Sequence, residues 1–207
     1  MVLMVSTPSS TSATSSHLQP SLAAEQVLAF VNTRANKLQP EQFPDAVTLE
    51  RWLQEHQLMN PEDVLTDTDL QEALQLRAAL VVVLLSHLED PEAVAPEDLQ
   101  QATAHLHHLA RSHPLISLIS DTEVSLVPAR SGGSAALGRL LGLITELVLT
   151  GRWNRLKACR NDGCQNGFYD RTRNGAGTFC SQNPCGALMA MRAYRKRKQQ
   201  TQQVPES

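Results

Sequence analysis

Cys159-Arg160-Asn161-Asp162-Gly163-Cys164 and Cys180-Ser181-Gln182-Asn183-Pro184-Cys185 decide how the last third of this chain folds. Together they hold all four cysteines of the 207 residues, as two Cys-x4-Cys pairs. Structural zinc takes four ligands in a tetrahedron, and two local thiolate pairs joined by a loop present them. The first spacer is turn-forming, with Gly163 expected to supply a positive φ, and the second is also turn-like. Between the pairs lie Phe168, Tyr169 and Phe179. A module this small needs a metal and a few aromatic side chains to stay folded. Clustered thiols also serve as small core residues or as redox groups, but their setting in polar, turn-rich segments favours a metal. Four thiolates leave no position for water, so the ion is structural rather than catalytic. Cys159, Cys164, Cys180 and Cys185 are therefore read as the ligands of one Zn2+; ligand type alone does not separate zinc from iron in such a sulfur site.

Downstream, Gly186 to Lys198 is rich in Ala, Leu, Met, Arg and Lys, all good helix formers. Helical spacing puts Leu188, Met191 and Tyr194 on one side, where they are expected to pack on the zinc site. Arg192, Arg195, Lys196 and Lys198 then face outward, and Arg171 and Arg173 join them from the loop between the cysteine pairs. Lys157 and Arg160 add charge beside the first cysteine. Residues 152–207 carry a net charge of +8 and residues 1–151 a net charge of −11, which makes the overall −3. A basic module on an acidic body is drawn to polyanions, so these six cations read as a phosphate-contacting surface. The plainer alternative is a solvated helix end, where basic groups also suit the dipole.

The run Trp153-Asn154-Arg155-Leu156-Lys157-Ala158-Cys159, then Phe168 to Asn174, Phe179-Cys180-Ser181 and Cys185-Gly186, resembles the CGNR zinc finger. Upstream, Phe30-Val31-Asn32-Thr33-Arg34 and Leu76-Arg77-Ala78-Ala79-Leu80 are similar to the ABATE-type domain that precedes that finger. The resemblance spans about residues 22–198. It implies a treble-type finger and a role in stress-induced transcription regulation. The family's name comes from Cys-Gly-Asn-Arg, whereas this chain reads Cys185-Gly186-Ala187-Leu188. The ligand and the glycine carry over, and whatever the Asn and Arg do in the family does not.

Before the finger, residues 21–151 read as a mainly α domain. Leu22, Val27, Leu28, Phe30 and Val31 share a helical face, as do Leu49, Trp52 and Leu53. Asp67 to Asp69 signal the cap of a long helix from about Leu70 to Leu88, apolar all round from Ala79 to Leu85 and so the expected centre of the domain, with Arg77 flanking its apolar face. Pro96-Glu97-Asp98 opens the next helix. Leu115–Ile119 and Glu123–Val127 read as a small hairpin around Asp121-Thr122; Asp-Thr is not a preferred two-residue turn and leaves the register open. After Ser131-Gly132-Gly133-Ser134 a helix is expected from about Ala135 to Thr150. The polar segments 1–20 and 199–207 are expected to be disordered.

The body offers weaker functional signals. Asn32, Thr33 and Arg34 end an apolar helix and are candidates for a ligand pocket, against the commoner use of such groups as caps. His105 and His108 stand at i and i+3, a spacing that suits a metal but more often a solvated face. His87-Leu88-Glu89 imitates a deaminase H-x-E, yet the paired P-C-x-x-C fails because position 188 is leucine. No nucleophile triad, phosphate-binding glycine loop or paired carboxylates appear, so the protein is not expected to be an enzyme. No apolar run is long enough to span a bilayer and no signal peptide is evident, which points to the cytoplasm. The expected protein is a zinc-finger transcription regulator that binds DNA, with an N-terminal domain that senses an unidentified small effector or forms a homodimer. The alternative is a zinc-stapled module for contact with protein or RNA.

Overall fold

The computed structural model describes residues 18–122 and 124–202. Its body contains five α-helices. Ser21 caps α1 (Leu22–Val31), accepting from the Ala24 amide at 3.3 Å. Asp45 and Thr48 close a capping box on α2 (Ala46–Glu55). α3 (Asp67–Ser86) begins one step earlier in logic than Asp67–Asp69 suggests: Thr66 is the cap, and the Asp69 carboxylate reaches back to the Thr66 amide at 2.8 Å. Such boxes satisfy amide groups that a helix start leaves orphaned. α4 (Pro96–Ser112) lacks a side-chain cap and starts on Pro96.

β1 (Leu115–Ile119) and β2 (Val124–Pro128) pair antiparallel, with Leu115 opposite Pro128 and Ile119 opposite Val124. The strands stop at Ile119 and resume at Val124, so Asp121-Thr122 is not a two-residue turn. The β-branched Thr122 does not readily take the positive φ that the second position of a type I′ hairpin turn needs. α5 (Gly133–Leu149) follows.

α1 packs against α5 and α3, while α4 lies along α3. Phe30, Leu76, Leu80, Leu84, Leu140 and Leu147 are almost wholly buried between these helices. Full burial of each such side chain contributes about 1.5–3 kcal/mol. α3 is indeed the central helix, buried at Leu70, Ala73, Leu76, Ala79, Leu80, Val81, Leu84 and Leu85.

One 3-10 turn (Trp153–Arg155) leads into a second hairpin, β3 (Leu156–Ala158) with β4 (Gly167–Tyr169). β3 packs on α3 and β4 on α1. Leu156, Ala158 and Tyr169 belong to the same buried cluster as the helices, whereas the cysteines form their own with Phe179. The core therefore crosses the division at residue 151 that charge suggests. After a π-type turn (Gln182–Gly186), α6 runs over Ala187–Gln202. Its last four residues lie in the segment expected to be disordered; Gln and Thr extend the helix because no breaker intervenes. Residues 1–17 and 203–207, the bulk of the segments expected to be disordered, lie outside the described residues.

Candidate metal centre and nucleic-acid interface

The two cysteine pairs reach one point from opposite ends of the finger. Cys159 follows β3, Cys164 precedes β4, Cys180 precedes the turn into α6, and Cys185 lies within that turn. Their four sulfurs lie within 4.8 Å of one another, with Cys164–Cys180 at 3.7 Å and Cys180–Cys185 at 3.8 Å. Thiolates on a tetrahedral zinc, with bonds of about 2.3 Å, stand about 3.8 Å apart. The donor set and its spacing fit one structural zinc ion. Among the described residues, no other group of three or more His, Cys, Asp or Glu is close enough to share an ion. His105 and His108, with ring centroids 6.4 Å apart, do not form one.

The knuckle is shaped by Asn161. Its side-chain oxygen accepts from the Gly163 amide at 3.2 Å and its carbonyl from the Cys164 amide at 2.7 Å. Its side-chain amide donates to the Cys185 sulfur at 3.6 Å. The left-handed residue here is Gln165, with φ 50°, and not Gly163. Gly163 matters for a different reason: a Cβ there would stand 2.8 Å from the Lys37 side chain. Burial pushes the Cys164 thiol up to about 11 and raises Cys180 as well. Burial opposes ionisation of Cys185 too, but bonds from Asn161 and the neighbouring thiols outweigh it and lower that group. Crowded thiolates are costly without a cation, and Zn2+ supplies the charge that ionises them.

Lys157 and Asp170 form a buried ion pair at 3.0 Å, exposed by only 3% and 1%. Asp170 also accepts from the Thr172 amide and hydroxyl (2.9 and 2.6 Å) and from the Gly177 amide (2.8 Å). Burial alone raises its carboxyl, yet these bonds and Lys157 hold it down at about 2. Lys157 is thus an internal organiser of the 170–177 loop and not part of a cationic surface. Arg160 is likewise taken up by Asp90 and Asp162. Arg155 donates to the carbonyls of Asp170, Thr172 and Arg173, which fixes the loop that carries Arg171 and Arg173.

Arg171, Arg173, Arg192, Arg195 and Lys198 are all exposed. Lys196 sits in α6, but its side chain lies outside the described residues. α6 itself contradicts its expected packing. Leu188, Met191 and Tyr194 are 41%, 52% and 62% exposed instead of covering the zinc site. Cys185 lies in the turn before α6, and Phe179 packs beside the sulfurs. The helix therefore leaves the centre as a basic arm with an apolar stripe.

Asn32, Thr33 and Arg34 gather at the seam between body and finger. The Asn32 amide pairs with both backbone groups of Gly167, donating to its carbonyl at 3.0 Å and accepting from its amide at 2.7 Å. A Cβ on Gly167 would come within 2.9 Å of the Leu28 side-chain end and 3.3 Å of Val31, so any larger residue would require those side chains to shift. Arg34 points to the Cys164 carbonyl and the Gln165 side chain, each at 3.4 Å. Thr33 donates to Phe30 and accepts from Arg77 at 2.8 Å. The groups a ligand would use are used by the protein. Arg77 does not flank the core but is buried in it, doubly bonded to Glu41 at 2.8 and 2.7 Å and set 5.4 Å over the Phe43 ring. Lys157, Arg155 and Arg77 carry roles that local sequence does not reveal. Asn161 is the exception, since an Asn in a turn-forming spacer signals an Asx turn.

Residues 155–198 match the family model of the CGNR zinc finger. Residues 25–151 match the ABATE model, described as "Putative stress-induced transcription regulator". No curated protein matches the chain.

Proposed function

The chain belongs to the ABATE family and carries a CGNR zinc finger after that domain, and from this premise we propose that it is a DNA-binding transcription regulator of the cytoplasm. One observation carries the reading. A basic helix starts just after the last zinc ligand and stands out from the fold, and Arg155 fixes the loop that exposes Arg171 and Arg173. Arg171, Arg173, Arg192, Arg195, Lys196 and Lys198 would contact phosphates. The zinc ion would hold the platform and do no chemistry, since four thiolates fill its coordination. The protein would accordingly be no enzyme. No helix among the described residues is long and apolar enough to cross a membrane. The body would sense an effector or bring two copies together. Ile116, Leu118, Ile119, Val124 and Leu126 leave the β1–β2 hairpin with an exposed aliphatic surface, which supports the second role.

Fluorescence anisotropy of labelled duplex DNA, titrated with zinc-loaded protein at several salt concentrations, tests the reading. Each phosphate contact contributes about 0.9 to the log–log salt slope, so six contacts predict a slope near −5. Changing the four cysteines to serine should abolish binding. Absence of binding at low salt would sink the DNA reading in favour of a zinc-stapled scaffold for protein or RNA. The exposed stripe of Leu188, Met191 and Tyr194 on the same helix is the observation that favours that second reading.

A further inference from the structure

An apolar cleft of about 390 Å3 lies between α4, α5 and the turn at Trp153. Leu106, Leu141, Ile144 and Trp153 line it and are only partly buried, so protein atoms do not fill the space between them. The volume falls within the usual range for small-molecule sites. No acidic residue, lysine or arginine contributes to the lining. A charged ligand would be desolvated here without a partner. The polar lining groups are His107, His113 and Thr145. The His113 ring faces the body, with Nδ1 hydrogen-bonded to the Ser134 hydroxyl at 3.0 Å and Nε2 3.2 Å from the Glu72 carboxylate, where it makes no hydrogen bond. Thr145 spends its hydrogen on the Leu141 carbonyl at 3.0 Å, which leaves its oxygen able to accept one more bond.

We propose that this cleft binds a small neutral apolar molecule, of one or two rings and with one hydrogen-bond donor, and that the finger reads its presence through Trp153. The proposal deepens the effector-sensing part of the function above and rests on it. Trp153 is the first residue of the turn that ends at Arg155 and continues into β3 and Cys159. Its indole meets the His87 ring edge-on at 5.2 Å and 82°. The Nδ1 of His87 donates in turn to the Leu156 carbonyl of β3 at 2.7 Å. At the other end of the same turn, Arg155 holds the loop of Arg171 and Arg173. A ligand pressed against Trp153 therefore has one short turn between it and two of the DNA-facing cations. Coupling of this kind is reciprocal: the ligand changes DNA affinity by the factor by which DNA changes ligand affinity.

The probe is N-phenyl-1-naphthylamine, a neutral apolar fluorophore of two ring systems with one N–H donor, whose emission moves to the blue in apolar surroundings, titrated into the full zinc-loaded chain. Saturable binding of one probe per chain, with energy transfer from tryptophan that drops in W153F, is expected. I144W and L141W each fill the cleft, and binding should weaken at least tenfold in whichever of them keeps the wild-type circular dichroism melt. Unsaturable binding, or equal transfer in wild type and W153F, overturns the site. The anisotropy titration is then repeated with the probe saturating, where at least a threefold change in DNA affinity is expected. Saturable binding in the cleft with unchanged DNA affinity overturns the reading through Trp153. If DNA does not bind in any state, it is the DNA reading that fails, and the probe titration alone decides the cleft.

Discussion

At the residue scale, the finger depends on a charge that no solvent sees. Removing the carboxylate of Asp170 leaves the Lys157 ammonium buried without its partner, which costs about 3–5 kcal/mol in comparable sites. Asp170→Asn should therefore lower the unfolding free energy of zinc-loaded protein, read from urea melts, by that order. The sign of the pH effect follows from the lowered carboxyl. Its contribution is complete above the ordinary value of 3.8 and fades as pH falls toward about 2. The gap between wild type and Asp170→Asn should close over that window; a gap that widens there would show that the pair does not stabilise the fold. Arg77 poses the same problem in the body, since it is buried against Glu41 and Thr33. Arg77→Ala should cost about 3–5 kcal/mol in a thermal or urea melt, and a cost under 1 kcal/mol would mean that Glu41 relaxes into water at no expense.

At the element scale, the seam between α1 and β4 is made by a side chain acting as backbone. Asn32 offers Gly167 a donor and an acceptor in the order a neighbouring strand would. Asn32→Ala removes both and should cost about 1–3 kcal/mol. Amide exchange at Gly167 and in β3 should speed up while exchange in α3 stays slow; uniform acceleration would mean that body and finger unfold as one unit. The same elements mark where sequence reading succeeds and stops. α1 to α5 were legible because their apolar residues recur at the helical period, and the zinc ligands because thiolate pairs have few other uses. The seam was not, since Asn32 and Gly167 are 135 residues apart and neither is unusual locally. Lys157 counts as surface charge until the fold brings Asp170 to it. The stripe on α6 has helical spacing, and nothing in its period says whether anything covers it.

At the scale of the whole molecule, metal and core are joined. The knuckle that joins β3 to β4 carries Cys159 and Cys164, and the two strands place Leu156, Ala158 and Tyr169 in the shared core. Chelating zinc should therefore lower the melting temperature of the entire chain, and not merely remove a small separate transition. A body melt that is the same with and without chelator, followed by circular dichroism at 222 nm, would show that the hairpin holds without its ion.

α6 stands apart from this union. Leu188, Met191, Arg192, Tyr194, Arg195 and Lys198 are exposed, and the helix begins only after the last ligand. A protease such as trypsin would find its basic residues before it found the body. The exposed side chains of the arm and the residues that keep the protein folded are thus different residues. Ala187 and Leu188, where this chain departs from the Cys-Gly-Asn-Arg pattern, lie on the exposed arm. Positions of that kind can be exchanged without renegotiating the interior, so a lineage can change the target of such a protein while inheriting its architecture intact.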